Sequence, residues 1–162
     1  MNSLTIQIVQ TESEWAELAN LLHQYAANDL DQPHLSSIWK DLQNLPSRYA
    51  APKGLALIIK ECPESQAIAC GAFASTGNLG TCEIKRIYVQ TPYRGQGIAE
   101  MLIRKLMLQA QQAGYTHAAL STWPTNHKGQ ALYSRLGFTP VAPFKEHPNP
   151  NLLFLGIELP RP

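Results

Sequence analysis

Two glycines lie close together where a predicted strand passes directly into a predicted helix. Residues 87–99 read Ile-Tyr-Val-Gln-Thr-Pro-Tyr-Arg-Gly-Gln-Gly-Ile-Ala. Gly95 and Gly97 allow a tight turn and a close approach of the backbone to a ligand. The first amides of the helix lack internal acceptors and lie at the positive end of the helix dipole. Arg94 adds a charge that does not titrate, so the segment predicts a binding site for a phosphate-bearing anion.

The surrounding residues exclude two other phosphate-binding loops. A dinucleotide-binding fingerprint needs Gly or Ala where Glu100 stands, a helical crossover upstream and an acid about twenty residues later. Residues 117–120 read His-Ala-Ala-Leu there, and the predicted upstream connection is a hairpin. A nucleoside-triphosphate loop needs Gly-Lys followed by Ser or Thr, and the chain has no such tripeptide. The anion therefore belongs to another class of ligand.

Hydrophobic periodicity predicts the elements that must position this loop. Thr11 starts the first helix, and Glu14 completes a capping box. Pro46 and Pro52 are expected to end a second helix before residue 45. The other expected elements are strands at 4–9, 55–60, 67–74, 81–89, 117–122 and 152–158 and helices at 35–42, 98–113 and 128–136. The gaps between the three middle strands are short, so these strands should pair as antiparallel hairpins.

Composition places the chain among ordinary globular proteins. Its 162 residues are 44% hydrophobic and 15% charged, which favours one domain over 1–162. No stretch reaches the roughly 18 apolar residues of a membrane span, and residues 1–5 lack a signal segment, so we expect a cytoplasmic protein with no membrane partner. The three cysteines, without a CxxC pair or nearby histidines, predict neither disulfides nor a metal site but buried thiols in a reducing compartment.

Charge is distributed unevenly along the chain. Residues 1–84 carry four cations and nine acids, whereas residues 85–145 carry eight cations and one acid. The cations form no run of five to eight, and no aromatic ladder accompanies them, so nucleic acid is a poorer partner than a small polyanion. A solvated basic surface is the alternative.

Three motifs then resemble one family. Residues 94–99 resemble the Arg/Gln-x-x-Gly-x-Gly/Ala loop of the GCN5-related N-acetyltransferase (GNAT) superfamily, which wraps the pyrophosphate of acetyl-coenzyme A (acetyl-CoA). Residues 82–89 are similar to its fourth strand, and residues 126–138 to its Asn-x-x-Ala-x-x-Leu-Tyr-x-x-x-Gly-Phe motif, with Gly129 at the usual Ala. The specific match covers about 82–138, the expected cofactor-binding core.

The resemblance implies a fold and a set of cofactor-binding residues. The fold is α/β, with a mixed, mostly antiparallel central sheet that is splayed near 82–89 and 117–122 and flanked by helices on both faces. The main-chain amides of 87–89 are expected to hold the pantetheine arm of acetyl-CoA. Asn126 would orient cofactor or water, or else cap the following helix. The expected cofactor-binding residues are Ile87, Tyr88, Val89, Arg94, Gly95, Gln96, Gly97, Ile98, Ala99 and Asn126.

The resemblance also implies direct acetyl transfer within a ternary complex. An amine must lose a proton before it attacks a thioester, and Glu83, among apolar strand residues, is the candidate base. Strand alternation would place Glu83 on one face with Lys85, Ile87 and Val89, and an ion pair with Lys85 or Arg86 is an equally weighted role. Tyr133 takes the family's role of acid for the leaving thiolate, with core packing as the alternative.

The acceptor is less well defined by the sequence. The resemblance implies that residues 29–39 wall its pocket. Asp29 and Asp31 suit a cationic amine, although a solvated loop with Trp39 in the core is the favoured interpretation. Trp123 and His127 receive no role. We therefore expect N-acetylation of a primary amine on a small molecule or peptide. Acetylation of a protein N-terminus or lysine, a non-catalytic acyl-CoA sensor and a homodimer are left open.

Overall fold

A computed structural model describes residues 3–161. Met1, Asn2 and Pro162 lie outside the described residues. Met1 and Asn2 belong to the stretch that is predicted to lack a signal segment. The strands are β1 (Thr5–Ile8), β2 (Leu55–Lys60), β3 (Ala67–Ser75), β4 (Thr81–Val89), β5 (His117–Thr122), β6 (Thr139–Pro140) and β7 (Leu153–Glu158). The helices are α1 (Glu12–Asn28), α2 (Ile38–Gln43), α3 (Leu45–Tyr49), α4 (Ile98–Gln112) and α5 (His127–Leu136). Short 3-10 turns cover Pro33–Leu35 and Thr91–Tyr93.

The seven strands form one sheet in the order β1-β2-β3-β4-β5-β7-β6. Every neighbouring pair is antiparallel except β4 and β5, which are parallel. That parallel pairing covers only Thr81–Glu83 against His117–Ala119. Beyond Glu83 the two strands separate, and we call this point the fork. The mixed sheet and its splay confirm the expected fold.

Helices cover both faces of the sheet, as expected. Leu102, Ile103 and Leu106 of α4 pack with Ile84 and Phe73 on one face. On the other face, α1, α2 and α3 bury apolar side chains against alternate residues of the same strands, namely Leu18, Leu21, Leu22, Ile38, Leu45 and Tyr49 against Ala56, Ile58, Cys70, Ala72, Ala74 and Tyr88. The strand residues alternate between these two cores, which fixes the register of the sheet because a slip by one position would exchange the cores.

A β-bulge interrupts that alternation in β4. Cys70 of β3 pairs with Tyr88 and Ala72 pairs with Lys85, so Gly71 lies opposite two residues of β4. Arg86 lies in the bulge with a φ of 64°, the left-handed region. The bulge overturns the expectation that Glu83, Lys85, Ile87 and Val89 share one face. Glu83 and Lys85 oppose Ala74 and Ala72 of the α1-side core, whereas Ile87 and Val89 pack on the α4 side.

Several smaller expectations were wrong for identifiable reasons. Residues 45–54 contain the helix α3 because Pro46 lies in its first turn, where the missing N–H is not needed. Trp39 is 42% exposed rather than in the core, and Cys62 is exposed while the other two thiols are buried. The capping box of Thr11 and Glu14 is confirmed.

None of the helices within residues 3–161 combines the length and apolar character that a bilayer crossing requires.

Candidate active site

The glycine loop adopts the conformation that its sequence requires. Gly95 and Gly97 have φ values of 79° and 77°, which side-chain-bearing residues rarely adopt. Gly97 is the N-cap of α4, and the first intrahelical acceptor is its own carbonyl, which receives the Met101 N–H. Within the described residues, the N–H groups of residues 95–97 donate no hydrogen bond. These amides are therefore available to an anion at the N-terminus of α4.

A cleft of about 900 Å³ runs from this loop to the fork. Its walls combine β4, the tip of β5, the start of α4, α5 and residues 29–37, together with residues from 141–152, which we call the covering segment. Ten of the predicted site residues line it: Glu83, Ile87, Val89, Arg94, Gly95, Gly97, Ile98, Ala99, Asn126 and Tyr133. The structure thus gathers residues from Glu83 to Tyr133, which come from β4, the glycine loop, α4 and α5 with its N-cap, along one cavity.

Two predicted residues do not line the cleft with their side chains. Tyr88 is buried in the α1-side core, where its ring lies 5.8 Å from that of Tyr25. Gln96 is exposed at the tip of the glycine loop. Any contact that either residue makes with a ligand in the cleft would therefore have to come from its main chain.

Arg94 joins the glycine loop to the end of α1. Its Nη2 donates to both carboxylate oxygens of Asp29, each at 2.9 Å, and its Nε donates to the Val89 carbonyl at 2.8 Å. Asp29 was expected to attract a cationic acceptor, but its carboxylate is paired with Arg94. The other acid of that segment, Asp31, lines the cleft but is exposed.

Glu83 lies at the fork with its side chain 3% exposed. Lys145 of the covering segment donates to Oε2 at 2.5 Å, and the Lys85 Nζ lies 3.7 Å from Oε1. Of the two ion-pair partners named from the sequence, the structure shows Lys85 in contact with Glu83, whereas Arg86 pairs elsewhere. The carboxylate therefore lies beside the space where the strands separate, with ammonium groups on both oxygens.

The side chain of Lys85 is 9% exposed. Burial, reinforced by the nearby Arg86 cation, lowers the pKa of Lys85 to about 7. Glu83 opposes this effect because its negative charge favours the ammonium form. Lys85 is therefore a titratable group in the cleft that changes charge near neutral pH.

Arg86 anchors the bulge to α2 and α3. Its Nη2 donates to Asp41 Oδ2 and to the Ser37 hydroxyl, each at 2.9 Å, and Tyr49 also donates to Asp41. Burial alone would raise the pKa of Asp41, but the Arg86 charge, the hydrogen bonds from Tyr49 and Arg86 and the nearby Lys85 together outweigh it, and the pKa is lowered. The pair therefore stays ionised, and the positive charge of Arg86 is neutralised.

Tyr133 of α5 lines the cleft. Its ring packs edge-on to Phe138 with ring centroids 6.0 Å apart. Tyr133 therefore also contributes to core packing, the alternative role that the sequence suggested. Burial raises the pKa of Tyr133 to about 12, and the Tyr25 phenol acts in the same direction. Tyr133 is therefore protonated at neutral pH and able to donate.

Asn126 caps α5, the alternative that its position suggested. Its Oδ1 accepts the Gly129 N–H at 3.1 Å, and its Nδ2 donates to the Thr122 hydroxyl at 2.9 Å. A β-carbon on Gly129 would lie 2.2 Å from Asn126 Nδ2. The glycine that departs from the family motif therefore leaves room for the amide that lines the cleft.

The covering segment contributes residues that the sequence did not single out as functional. Lys145 reaches Glu83, and the ring of His147 lies 5.6 Å from that of Trp123 at the end of β5. Trp123 lines the cleft, whereas His127, also left without a role, does not. The only sequence signal for this segment was one lysine among prolines and aromatic residues between two strands.

Solved structures of transferases share this fold. The fold aligns with a provisionally assigned acyl-CoA N-acyltransferase of Klebsiella pneumoniae at a TM-score of 0.71 and 27% identity, covering 98% of this chain and 99% of that one. It also aligns with a provisionally assigned acetyltransferase of Salmonella typhimurium, solved with its cofactor acetyl-CoA, at a TM-score of 0.75 and 16% identity, covering 98% and 95%. The fold is therefore that of the acyl-CoA-dependent transferases.

The particular family follows from the sequence. Residues 15–138 match the Acetyltransferase (GNAT) family, and the chain belongs to it. An uncharacterized N-acetyltransferase of Schizosaccharomyces pombe is 24% identical over 158 residues, covering 98% of this chain and 96% of the relative. The protein is an acetyl-CoA-dependent N-acetyltransferase that acts on an amine, which leaves the non-catalytic sensor alternative without support.

Proposed function

We propose that the protein transfers the acetyl group of acetyl-CoA directly to the primary amine of a small molecule while both are bound. The observation that carries the proposal is the common cleft of the glycine loop, Glu83 and Tyr133. The amides of the loop and the N-terminus of α4 bind the pyrophosphate, and Arg94 adds positive charge. The thioester then lies beyond the fork, next to the amides of β4.

Acid and base lie on two sides of that position. Acetyl-CoA supplies an acetyl group already activated as a thioester. Glu83 accepts a proton from the ammonium form of the acceptor, and the free amine nitrogen forms a bond to the thioester carbonyl carbon. As the carbon–sulfur bond breaks, its electron pair leaves with sulfur, and the Tyr133 hydroxyl donates a proton to that thiolate. The nitrogen, now bonded to the acetyl carbon, gives up its remaining extra proton, which restores the Tyr133 hydroxyl and leaves the neutral amide.

A small acceptor is favoured over a protein because the covering segment lies across the acceptor end. Lys145 of this segment contacts Glu83 directly, so a peptide chain would have to displace it. An acceptor that displaces the segment, such as a protein N-terminus or lysine, remains the second candidate within the same chemistry.

The test follows thiol release from acetyl-CoA with a panel of amines and peptides. Glu83→Gln and Tyr133→Phe should each lower kcat by about 10²- to 10⁴-fold, with little change in the dissociation constant of acetyl-CoA. Gly97→Glu should abolish acetyl-CoA binding because it places a carboxylate against the pyrophosphate.

Glu64→Gln and Tyr115→Phe are the matched controls, since neither residue lines the cleft. Thermal melting establishes that each variant is folded. Wild-type kcat in both Glu83→Gln and Tyr133→Phe would refute the assigned roles, and unchanged acetyl-CoA binding by Gly97→Glu would refute the loop as its site.

A further inference from the structure

The acceptor end of the cleft holds more positive than negative charge. Glu83 is shared between the ammonium groups of Lys145 and Lys85, and these three side chains are 3%, 29% and 9% exposed. The nearby carboxylate of Asp41 is bonded to Arg86 through Oδ2, and it acts on Lys85 only as a nearby negative charge. One carboxylate therefore faces two lysines, of which Lys85 is buried and Lys145 is partly exposed. A buried charge without a partner is costly, so a second anion in this place would stabilise the ammonium form of Lys85.

The remaining acids near the cleft do not supply that anion. Asp29 has both oxygens on Arg94. Asp31 and Glu146 are lining residues, but both are exposed, and neither forms an ion pair within the described residues. A second anion that keeps Lys85 charged would therefore come from a bound molecule.

The position of the Lys145 ammonium is fixed by the aromatic contacts around it. On one side Phe144 packs edge-on against Phe154 of β7, with ring centroids 5.2 Å apart. On the other side His147 packs edge-on against Trp123. The covering segment is thus attached before and after Lys145, and the cation is held in place rather than being free to move away from the cleft.

From this charge arrangement we propose that the acceptor is a zwitterion, an amine whose neighbouring carbon bears a carboxylate, as in a free amino acid. Its carboxylate binds Lys145 and Lys85, and its ammonium group binds Glu83. This inference rests on the proposed function, because it assigns the substrate class of the same site.

Binding of such an acceptor exchanges ion pairs without leaving a charge unpaired. The incoming carboxylate replaces Glu83 as the partner of Lys145. Glu83 is then free to face the ammonium group and to accept its proton. The acceptor therefore activates its own base, and the resting ion pair keeps Glu83 from acting before a substrate with the correct charges arrives.

The same arrangement disfavours the other amine classes. A diamine or polyamine would bring a second cation toward Lys85 and Lys145, and like charges in such a site are repelled. A lysine side chain in a protein and a peptide N-terminus both lack the adjacent carboxylate. Selectivity would thus come from repulsion as well as from attraction.

The experiment compares matched acceptors in the thiol-release assay. Each free amino acid is tested beside its methyl ester and its decarboxylated amine. We expect kcat/KM to be at least about tenfold higher for the free acid, the scale of a lost charge-assisted hydrogen bond. Lys145→Met should raise the KM of the preferred acid about tenfold, leave the KM of acetyl-CoA unchanged and remove the preference over the ester.

Lys40→Met is the control, because Lys40 is exposed on α2 and does not line the cleft. Calorimetric titration of the preferred acid into the complex with coenzyme A measures binding without turnover, and Lys145→Met should weaken it equally. Esters or diamines acetylated as well as free acids would overturn this inference and leave the proposed function standing. Absence of thiol release with every amine would instead contradict the proposed function.

Discussion

At the scale of single residues, Lys85 couples the cleft to pH. A lysine in the unfolded chain titrates near 10.5, whereas burial lowers the pKa of Lys85 in the folded protein to about 7. Between these values the unfolded state binds the additional proton. The free energy of unfolding therefore rises with pH across this window and loses that contribution as pH falls toward 7.

Lys85→Met should remove this contribution. Relative to wild type, the variant should be most stabilised at about pH 6, and the difference should shrink steadily toward about pH 10. Urea unfolding at several pH values measures it. Lys40→Met should show a small, flat difference over the same range. A difference for Lys85→Met that did not vary with pH would contradict the lowered pKa.

At the scale of elements, the bulge in β4 depends on α2 and α3. Arg86 holds a left-handed conformation in the strand, and its guanidinium is bonded to Asp41 and Ser37 while Tyr49 bonds to the same carboxylate. These contacts attach the strand on one side of the fork to two short helices. The helices therefore help to determine the main-chain path of β4 along the cleft.

Asp41→Asn should destabilise the protein by about 3–5 kcal/mol, because it leaves Arg86 buried without a carboxylate. Glu17→Gln is a matched control, since its pair with Lys60 is more exposed, at 25% and 11% of the side chains. That change should cost about 1 kcal/mol or less. Urea unfolding measures the free energy of unfolding of both variants. Equal decreases would show that the pair of Asp41 and Arg86 stabilises the protein no more than an exposed ion pair does.

The sequence predicted most elements because their periodicity is local. The bounds of β2, β4 and β5 agree with the structure to the residue, and the glycine loop has the backbone that its spacing required. The bulge was missed because one inserted residue leaves no periodic signal, and only the adjacent charges of Lys85 and Arg86 hinted at it. The contact between Glu83 and Lys145 spans 62 residues, and no local spacing encodes such a separation.

At the scale of the whole molecule, the basic half of the chain is concentrated on one cavity. Six of the eight cations in residues 85–145 line the cleft: Lys85, Arg86, Arg94, Lys128, Arg135 and Lys145. The net charge of the chain is only +1. Five acids line the same cleft, namely Asp29, Asp31, Glu83, Glu100 and Glu146, and ion pairs engage Arg86, Arg94, Arg135 and Lys145. Attraction of an anionic cosubstrate therefore depends on cations such as Lys128, for which no ion pair is present within residues 3–161, and not on the overall charge.

Raising ionic strength should accordingly raise the KM of acetyl-CoA, because salt screens exposed charges. Lys128→Gln should raise that KM severalfold at low salt and make it less sensitive to salt. Steady-state kinetics from low to physiological ionic strength provides the measurement. Lys53→Gln, outside the cleft, should behave as wild type, and a salt-independent KM in the wild type would exclude steering by these cations.

The fork divides the cleft into two ends that present different kinds of chemical group. At the glycine loop the groups available to a ligand are main-chain amides, whose positions depend on two glycines with positive φ, whereas at the covering segment they are individual charged side chains. Replacements in residues 141–152 can therefore accumulate without loss of the shared cosubstrate. An ancestor of this enzyme could have changed its acceptor through a few substitutions in that stretch while remaining active at every step.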